Sequence, residues 1–319
     1  MTERLKSLLS KDGNVAWIAM PGDDEGTRAT YLFNENDHLF IDEYGNQLII
    51  QPFADFESIE SQHETKKENH TTWIEQAHLE ITNGKFSKVV LSRYINHPRA
   101  SNEIFSLIEK LHNSYLSSCI FYLRHHELGE WLCATPELLF EKKSDDVRTI
   151  ALAGTQSFSN GEELVWNEKL KDEQQLVVDF IEEELKSGGV QEIKISPAVN
   201  HIAGPLVHLR SDISFRTDFT AARITELLHP TSAVCGMPRN SAKEFILQHE
   251  THQRRLYTGC FGIQSPNGDA SYYVILRCMQ IFPDHYGLFV GGGITAFSNA
   301  EDEWQETSIK SKVLLDHII

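Results

Sequence analysis

Apolar positions near the start of the chain fall in short β-like runs, Val15–Ile18, Thr30–Phe33 and Leu48–Ile50, broken by turn signals such as Pro21-Gly22-Asp23-Asp24. The polar, charged residues 61–70 read as an exposed connection. A helix is predicted over about Thr72–Ile81, stopped by Asn83-Gly84. Lys88–Ile95 reads as a strand, Asn102–His112 as a helix, and Cys119–Leu123 and Trp131–Ala134 as strands. Asn167–Lys186 is a long helix ended by Ser187-Gly188-Gly189. Three strands follow near the end, Tyr257–Ile263, Tyr272–Ile281 and His285–Gly291. A last helix starts near Asn299, with Ser298 or Asn299 as cap and acidic residues in its first turn. Helices interspersed with long antiparallel-looking strands predict a single domain of the α/β or α+β class.

Composition narrows the function classes. Of 319 residues, 40% are hydrophobic and 24% charged, which places the chain among soluble globular proteins. Its apolar runs are of strand length, too short to cross a bilayer. The first six residues, Met1 to Lys6, lack a basic segment followed by an apolar core, so a cytoplasmic location is expected. A net charge of −17 argues against nucleic acid as a partner, and it means that an anionic ligand would need local cations to hold it. The five cysteines are odd in number and form no C-x-x-C pair, which favours buried thiols over disulfides or zinc.

Several polar residues stand where a core would want apolar ones. Glu173 shares a helix face with Leu170, Val177, Phe180, Ile181 and Leu185. A carboxylate buried there costs several kcal/mol unless it is paired or bound to a metal; a rim position reaching solvent would avoid that cost. In the last helix, Glu303, Glu306 and Lys310 lie beside Ile309 and Val313, where an ordinary exposed ion pair is the plainer reading. Carboxylates offered by two helices suit a hard cation, Mg²⁺ before Ca²⁺. Gly291-Gly292-Gly293 could bring backbone amides close to an anion, or could simply be a turn. His249-Glu250-Thr251-His252 spaces its histidines at i and i+3, not the i and i+4 of a zinc-protease helix. Neither a G-x-S-x-G nor a P-loop motif occurs.

Eight segments in order carry a more specific signal: Ser87–Arg93 (SKVVLSR), Ala134–Leu139 (ATPELL), Leu152–Thr155 (LAGT), Lys171–Asp179 (KDEQQLVVD), Leu228–Ala233 (LHPTSA), Ile275–Arg277 (ILR), Gly291–Ile294 (GGGI) and Glu303–Lys310 (EWQETSIK). From about residue 72 to the C-terminus the chain thereby resembles the chorismate-binding enzymes, a group of isochorismate, salicylate, anthranilate and aminodeoxychorismate synthases. The resemblance implies a single-domain fold of two large, twisted, mainly antiparallel sheets flanked by helices, with the site between them. It divides the chain into a shortened β-rich N-terminal part, residues 1–70, and a catalytic part, residues 71–319.

It also implies roles. Lys88 would be the general base and Glu137 the general acid, each needing a pKa moved toward neutrality, with burial lowering the first and raising the second. Glu173 and Glu306 would bind Mg²⁺, with Glu303 either behind these ligands or reaching the ion through water. Arg277, Lys310 and the Gly291, Gly292 and Gly293 amides would hold substrate carboxylates. His229 and Tyr257 would line the ring pocket, with Gly154 and Thr155 beside the substrate. Gln174 stands where many relatives carry His. Lys88, where amine-using members usually have Gln, and Ala153, where aminodeoxychorismate synthases have a nucleophilic Lys, both imply water as nucleophile. The implied activity is Mg²⁺-dependent conversion of chorismate to isochorismate, for menaquinone or siderophore synthesis. Further elimination of pyruvate to salicylate is the alternative; amination, or a non-catalytic chorismate-binding subunit, fits less well. Chorismate is then the expected partner of a monomer, with no glutaminase subunit, nucleic acid or membrane.

Overall fold

The structure, a computed structural model, describes residues 15–21, 28–32, 39–41, 45–99, 104–157, 164–203 and 206–318. Its strands form two large sheets in which every pairing is antiparallel. The first runs, neighbour to neighbour, from β13 (Gly236–Met237) through β5 (Lys88–Pro98), β17 (His285–Ile294), β16 (Cys278–Ile281), β7 (Gly129–Thr135), β6 (Cys119–His125) and β1 (Val15–Ala19) to β2 (Arg28–Leu32). The second runs from β3 (Leu39–Ile41) through β4 (Gln47–Gln51), β14 (Cys260–Gln264), β15 (Ala270–Val274), β8 (Leu138–Lys143) and β9 (Asp146–Ser157) to β12 (Leu206–Arg216). On β12 lie β10 (Ile193–Ile195) and β11 (Val199–Ala203). Among the described residues a single pair, Leu32 opposite Ile41, joins the two sheets.

Both faces of the first sheet are covered, which explains why its strands read as unbroken apolar runs. In β1, Val15, Trp17 and Ala19 enter one core while Ala16 and Ile18 enter another. The core between the sheets is aromatic, built on Tyr94, Phe121, Trp131, Tyr257, Phe261 and Phe289. Outside the first sheet pack α2 (Ile104–Ser114) and α6 (Ala300–Ile318), through Leu107, Ile108, Leu111, Val313 and Leu314. The second sheet is covered by α3 (Glu168–Ser187) and α4 (Ala221–Leu228), through Val177, Phe180, Ile181, Leu185 and Ile224. The helices α1 (Lys67–Thr82) and α5 (Arg239–His249) close over β5 through Trp73, Ala77, Phe245 and Ile246. All five cysteines are buried free thiols, and among the described residues no helix is long and apolar enough to cross a membrane.

Three expectations about elements need correction. Residues 61–70 are not simply an exposed connection: α1 begins at Lys67, and Thr65 and His70 are buried. His70 packs edge-on against Trp73 and Trp304, so aromatic contacts pull a polar segment inward. The strand expected from Tyr257 starts at Cys260, because Thr258 adopts a positive φ of 59° in the preceding turn. The strand expected over Tyr272–Ile281 is broken at residues 275–277, where Arg277 takes a φ of 47°. That break turns a charged side chain out of the ladder and into the site. By contrast, α3 starts as its sequence implies, with Asn167 Oδ1 accepting from the Leu170 N–H at 2.9 Å.

Candidate active site

One cavity opens between the ends of β5, β9 and β17 and the helices α3 and α6. Lys88, Glu137, Gly154, Glu173, Tyr257, Arg277, Gly291, Gly292, Gly293, Glu306 and Lys310 all line it. Convergence starts with the pairing of β5 on β17, where Gly291, Gly292 and Gly293 face Ser92, Leu91 and Val90. The three glycines are strand residues, not a turn, and close approach is what requires them. A Cβ on Gly293 would lie 2.8 Å from Lys88 Cε and 2.9 Å from Glu173 Oε1; one on Gly291 would lie 2.8 Å from the Tyr257 hydroxyl. Beyond Phe289, β17 has no strand partner on its β16 side among the described residues, and Gly291 turns its carbonyl to that edge, where Lys310 Nζ donates to it at 3.0 Å. In an antiparallel strand the N–H of a residue points the same way as its C=O, so the Gly291 amide also faces that edge.

Lys88 opens β5 and is 1% exposed, with Nζ 3.1 Å from Glu173 Oε1. Lys310 Nζ lies 2.7 Å from Glu306 Oε1. Desolvation works against the charge of Lys310, but Glu306, Glu173 and Glu303 outweigh it and move its pKa up. Glu303 is buried, and a Cβ on Gly292 would meet its Oε2 at 3.0 Å and Glu306 Oε1 at 3.8 Å. Adjacent glycines of β17 are therefore met by carboxylates of different helices, Gly293 by Glu173 of α3 and Gly292 by Glu303 and Glu306 of α6.

Glu137 sits just before β8, its backbone N–H donating to Thr135 Oγ1 at 3.2 Å and its carbonyl accepting from the Val274 N–H at 3.0 Å. Its carboxyl is buried, and burial pushes its pKa up to about 7 against the opposing pull of Thr231, Lys88, Arg277 and Lys310. Thr231 Oγ1 donates to Glu137 Oε1 at 3.4 Å.

Arg277 points Nη2 at His208 Nε2, 2.9 Å away, while its buried Nη1 has no acceptor among the described residues. Burial lowers its pKa to about 10, which leaves the guanidinium charged. A guanidinium cannot accept, so the imidazole must; His208 is kept neutral by burial and by Arg277. A buried donor lacking a partner at a cavity wall is suited to an anionic ligand.

Other expected residues fall less centrally. His229 is buried outside the cavity lining and donates Nε2–H to the Thr258 carbonyl at 3.0 Å. Thr155 belongs to β9, and its side chain lies outside the described residues. Gln174 is buried and donates to Ser211 Oγ at 3.0 Å, a hydrogen bond that needs no titrating group. Sequence reasoning missed His208, Val234, Leu276 and Phe289, which also line the cavity. The last three carry only an apolar signal. His208 could have been found as a polar residue in the apolar run Leu206–Leu209.

Among the described residues, no group of three or more His, Cys, Asp or Glu is placed to hold a metal unaided. Glu173 and Glu306 nevertheless offer two hard oxygen donors at one cavity wall. That set fits Mg²⁺, which is held by one or two carboxylates and completes its shell with water and substrate oxygens.

The model of the family described as "chorismate binding enzyme" matches residues 27–319. The salicylate biosynthesis isochorismate synthase of Pseudomonas aeruginosa is 31% identical over 248 residues, covering 74% of this chain and 52% of that protein. The isochorismate synthase DhbC of Bacillus subtilis is 30% identical over 279 residues, covering 79% of this chain and 69% of that one. The chain thus spans about half the length of the first relative. In fold it matches the menaquinone-specific isochorismate synthase MenF of Escherichia coli, with a TM-score of 0.85, 22% identity, and coverage of 100% of this chain and 92% of that one. Together with the cavity just described, these matches place the chain in the chorismate binding enzyme family.

Proposed function

We propose that this chain is an isochorismate synthase that uses Mg²⁺ held by Glu173 and Glu306. The observation that carries the reading is that Lys88 and Glu137, both buried, share one cavity, and that the Glu137 carboxyl keeps its proton up to about pH 7. An amine that accepts a proton and a carboxyl that gives one are what the isomerisation needs. The Lys88 amine takes a proton from water as the water oxygen bonds to C2 of the chorismate ring. The ring double bonds shift, the C4–O bond breaks, and Glu137 gives its proton to the departing hydroxyl, which leaves as water. One water enters and one departs, so the product is an isomer of the substrate.

Arg277 and Lys310, with the Gly291 amide, bind and orient substrate carboxylates and supply the local cations that a chain of net charge −17 requires. Bound Mg²⁺ would neutralise and fix the ring carboxylate. The names of the relatives support the same activity, and the lysine at position 88 favours water over ammonia as nucleophile.

The reading is tested by kinetics of three variants with chorismate. Lys88→Ala should lower kcat by about 10²-fold or more with a small change in KM. Glu173→Ala and Glu306→Ala should abolish turnover, and EDTA should do the same to wild type until Mg²⁺ is restored. A Lys88→Ala enzyme with normal kcat and a raised KM would remove Lys88 as the base, and full EDTA-insensitive turnover would remove the metal.

A further inference from the structure

Behind the cavity lies an ion pair that the chemistry above does not use. Glu250, the residue following α5, and Arg254 each have side chains 2% exposed, and Arg254 Nη2 lies 2.6 Å from Glu250 Oε1. Every N–H of the Arg254 guanidinium has an acceptor. Nε donates to Glu250 Oε2 at 2.8 Å, Nη2 to Glu250 Oε1 and to the Val90 carbonyl at 2.6 Å, and Nη1 to the Val234 carbonyl at 2.9 Å and Thr258 Oγ1 at 3.3 Å. Glu250 Oε1 also accepts from the backbone N–H of Ser92 at 2.7 Å and from its hydroxyl at 3.0 Å. Buried ion pairs are a poor way to stabilise a fold, because desolvation offsets most of the attraction. What distinguishes this one is where its bonds go.

Val90 stands two residues after Lys88 on the same face of β5, and Val234 stands three residues after Thr231, which donates to Glu137. Both valines line the cavity, as does Tyr257, three residues after Arg254. The same two segments are stitched together by the Val90 N–H on the Cys235 carbonyl at 2.9 Å and by the pairing of β13 on β5. We infer that Arg254, locked by Glu250, is a positioning residue: one buried guanidinium sets the backbone carrying Lys88 against the backbone carrying the Thr231 partner of Glu137. The inference rests on the roles proposed above for Lys88 and Glu137. Lysine cannot replace arginine here, since its donors radiate from one atom and cannot span a carboxylate and two carbonyls.

The test is steady-state kinetics of Arg254→Lys and Glu250→Gln with chorismate and Mg²⁺, with near-UV circular dichroism to establish the native fold. Misplacing a base and an acid by about 1 Å lowers kcat by about 10²-fold, while KM stays within about threefold because Arg277 and Lys310 hold the substrate from other elements. Should either variant fail to fold, the double variant Ser92→Ala/Thr258→Val removes the two hydroxyls that brace the pair and keeps both charges. A fall in its kcat of about fivefold or more, at unchanged KM, is then expected. Folded variants that lose only thermal stability, or that raise KM at wild-type kcat, would overturn the positioning role. Absence of isochorismate from wild-type protein would instead overturn the proposed function, so the two failures are distinguishable.

Discussion

Glu137 shows how much of the chemistry is set by where a single side chain is placed. Its carboxyl moves from 4.5 to about 7 mainly because burial penalises the charged form. A folded-state pKa raised in this way gives stability that is fully present below about 4.5 and lost as pH rises through about 7. Replacing the group by an amide should therefore help only at high pH. Glu137→Gln is expected to be more stable than wild type by up to about 3 kcal/mol at pH 8, with the gain gone by pH 4; urea melts at the two pH values measure this. With Glu137 as the proposed acid, kcat/KM for chorismate should fall on the alkaline side from about pH 7, and Glu137→Gln should lose about 10²-fold or more in kcat. An amide variant that is less stable than wild type at pH 8 would contradict the burial argument. Glu173 was legible as a carboxylate on an apolar helix face, Glu306 read on its own as an ordinary ion pair, and Lys88, Glu137 and Arg277 were indicated through the family resemblance. His208 was not, because its role depends on the guanidinium it meets across the fold, 69 positions away in the chain.

At the scale of elements, the β17 glycines give distinct expectations for each position. A methyl on Gly291 would meet the Leu91 carbonyl, a backbone atom, at 2.8 Å, so Gly291→Ala should destabilise the protein by about 1–3 kcal/mol. The nearest atoms to a methyl on Gly293 are the side-chain ends of Lys88 and Glu173, with no backbone atom among them. Gly293→Ala should therefore spare much of the stability and lower kcat by about tenfold or more, because it displaces Lys88. Thermal melts and kinetics on the two variants check the contrast, and equal effects of both substitutions would refute it. Asn299, whose Oδ1 accepts from the Glu301 and Asp302 N–H groups, caps α6, and Asn299→Ala should cost about 1 kcal/mol in the same melts. Most elements were legible from periodicity and caps, including α3 and β17. The interruption at Arg277 was not, since a positive φ at an arginine has no local signature and is imposed by the tertiary setting. Nor was the early start of α1, which depends on His70 meeting Trp304 at the other end of the chain.

For the whole molecule, period-2 patterning indicates that strands exist but not which ones are neighbours. The insertion of β14 beside β4, or of β17 between β5 and β16, joins segments far apart in sequence, and only the family resemblance indicated two large sheets with a site between them. That arrangement brings a lysine from β5, a buried carboxyl from the β7–β8 connection, carboxylates from α3 and α6 and an arginine from the β15–β16 break to one cavity. The account therefore rests on the cavity's acting on a single substrate. Incubating the purified protein with chorismate and Mg²⁺, and separating the products chromatographically, tests it most directly. Isochorismate should accumulate to an equilibrium with chorismate, reached from either side and unaffected by ammonium salts. Chorismate recovered unchanged, or salicylate or an aminated product in place of isochorismate, would contradict the account.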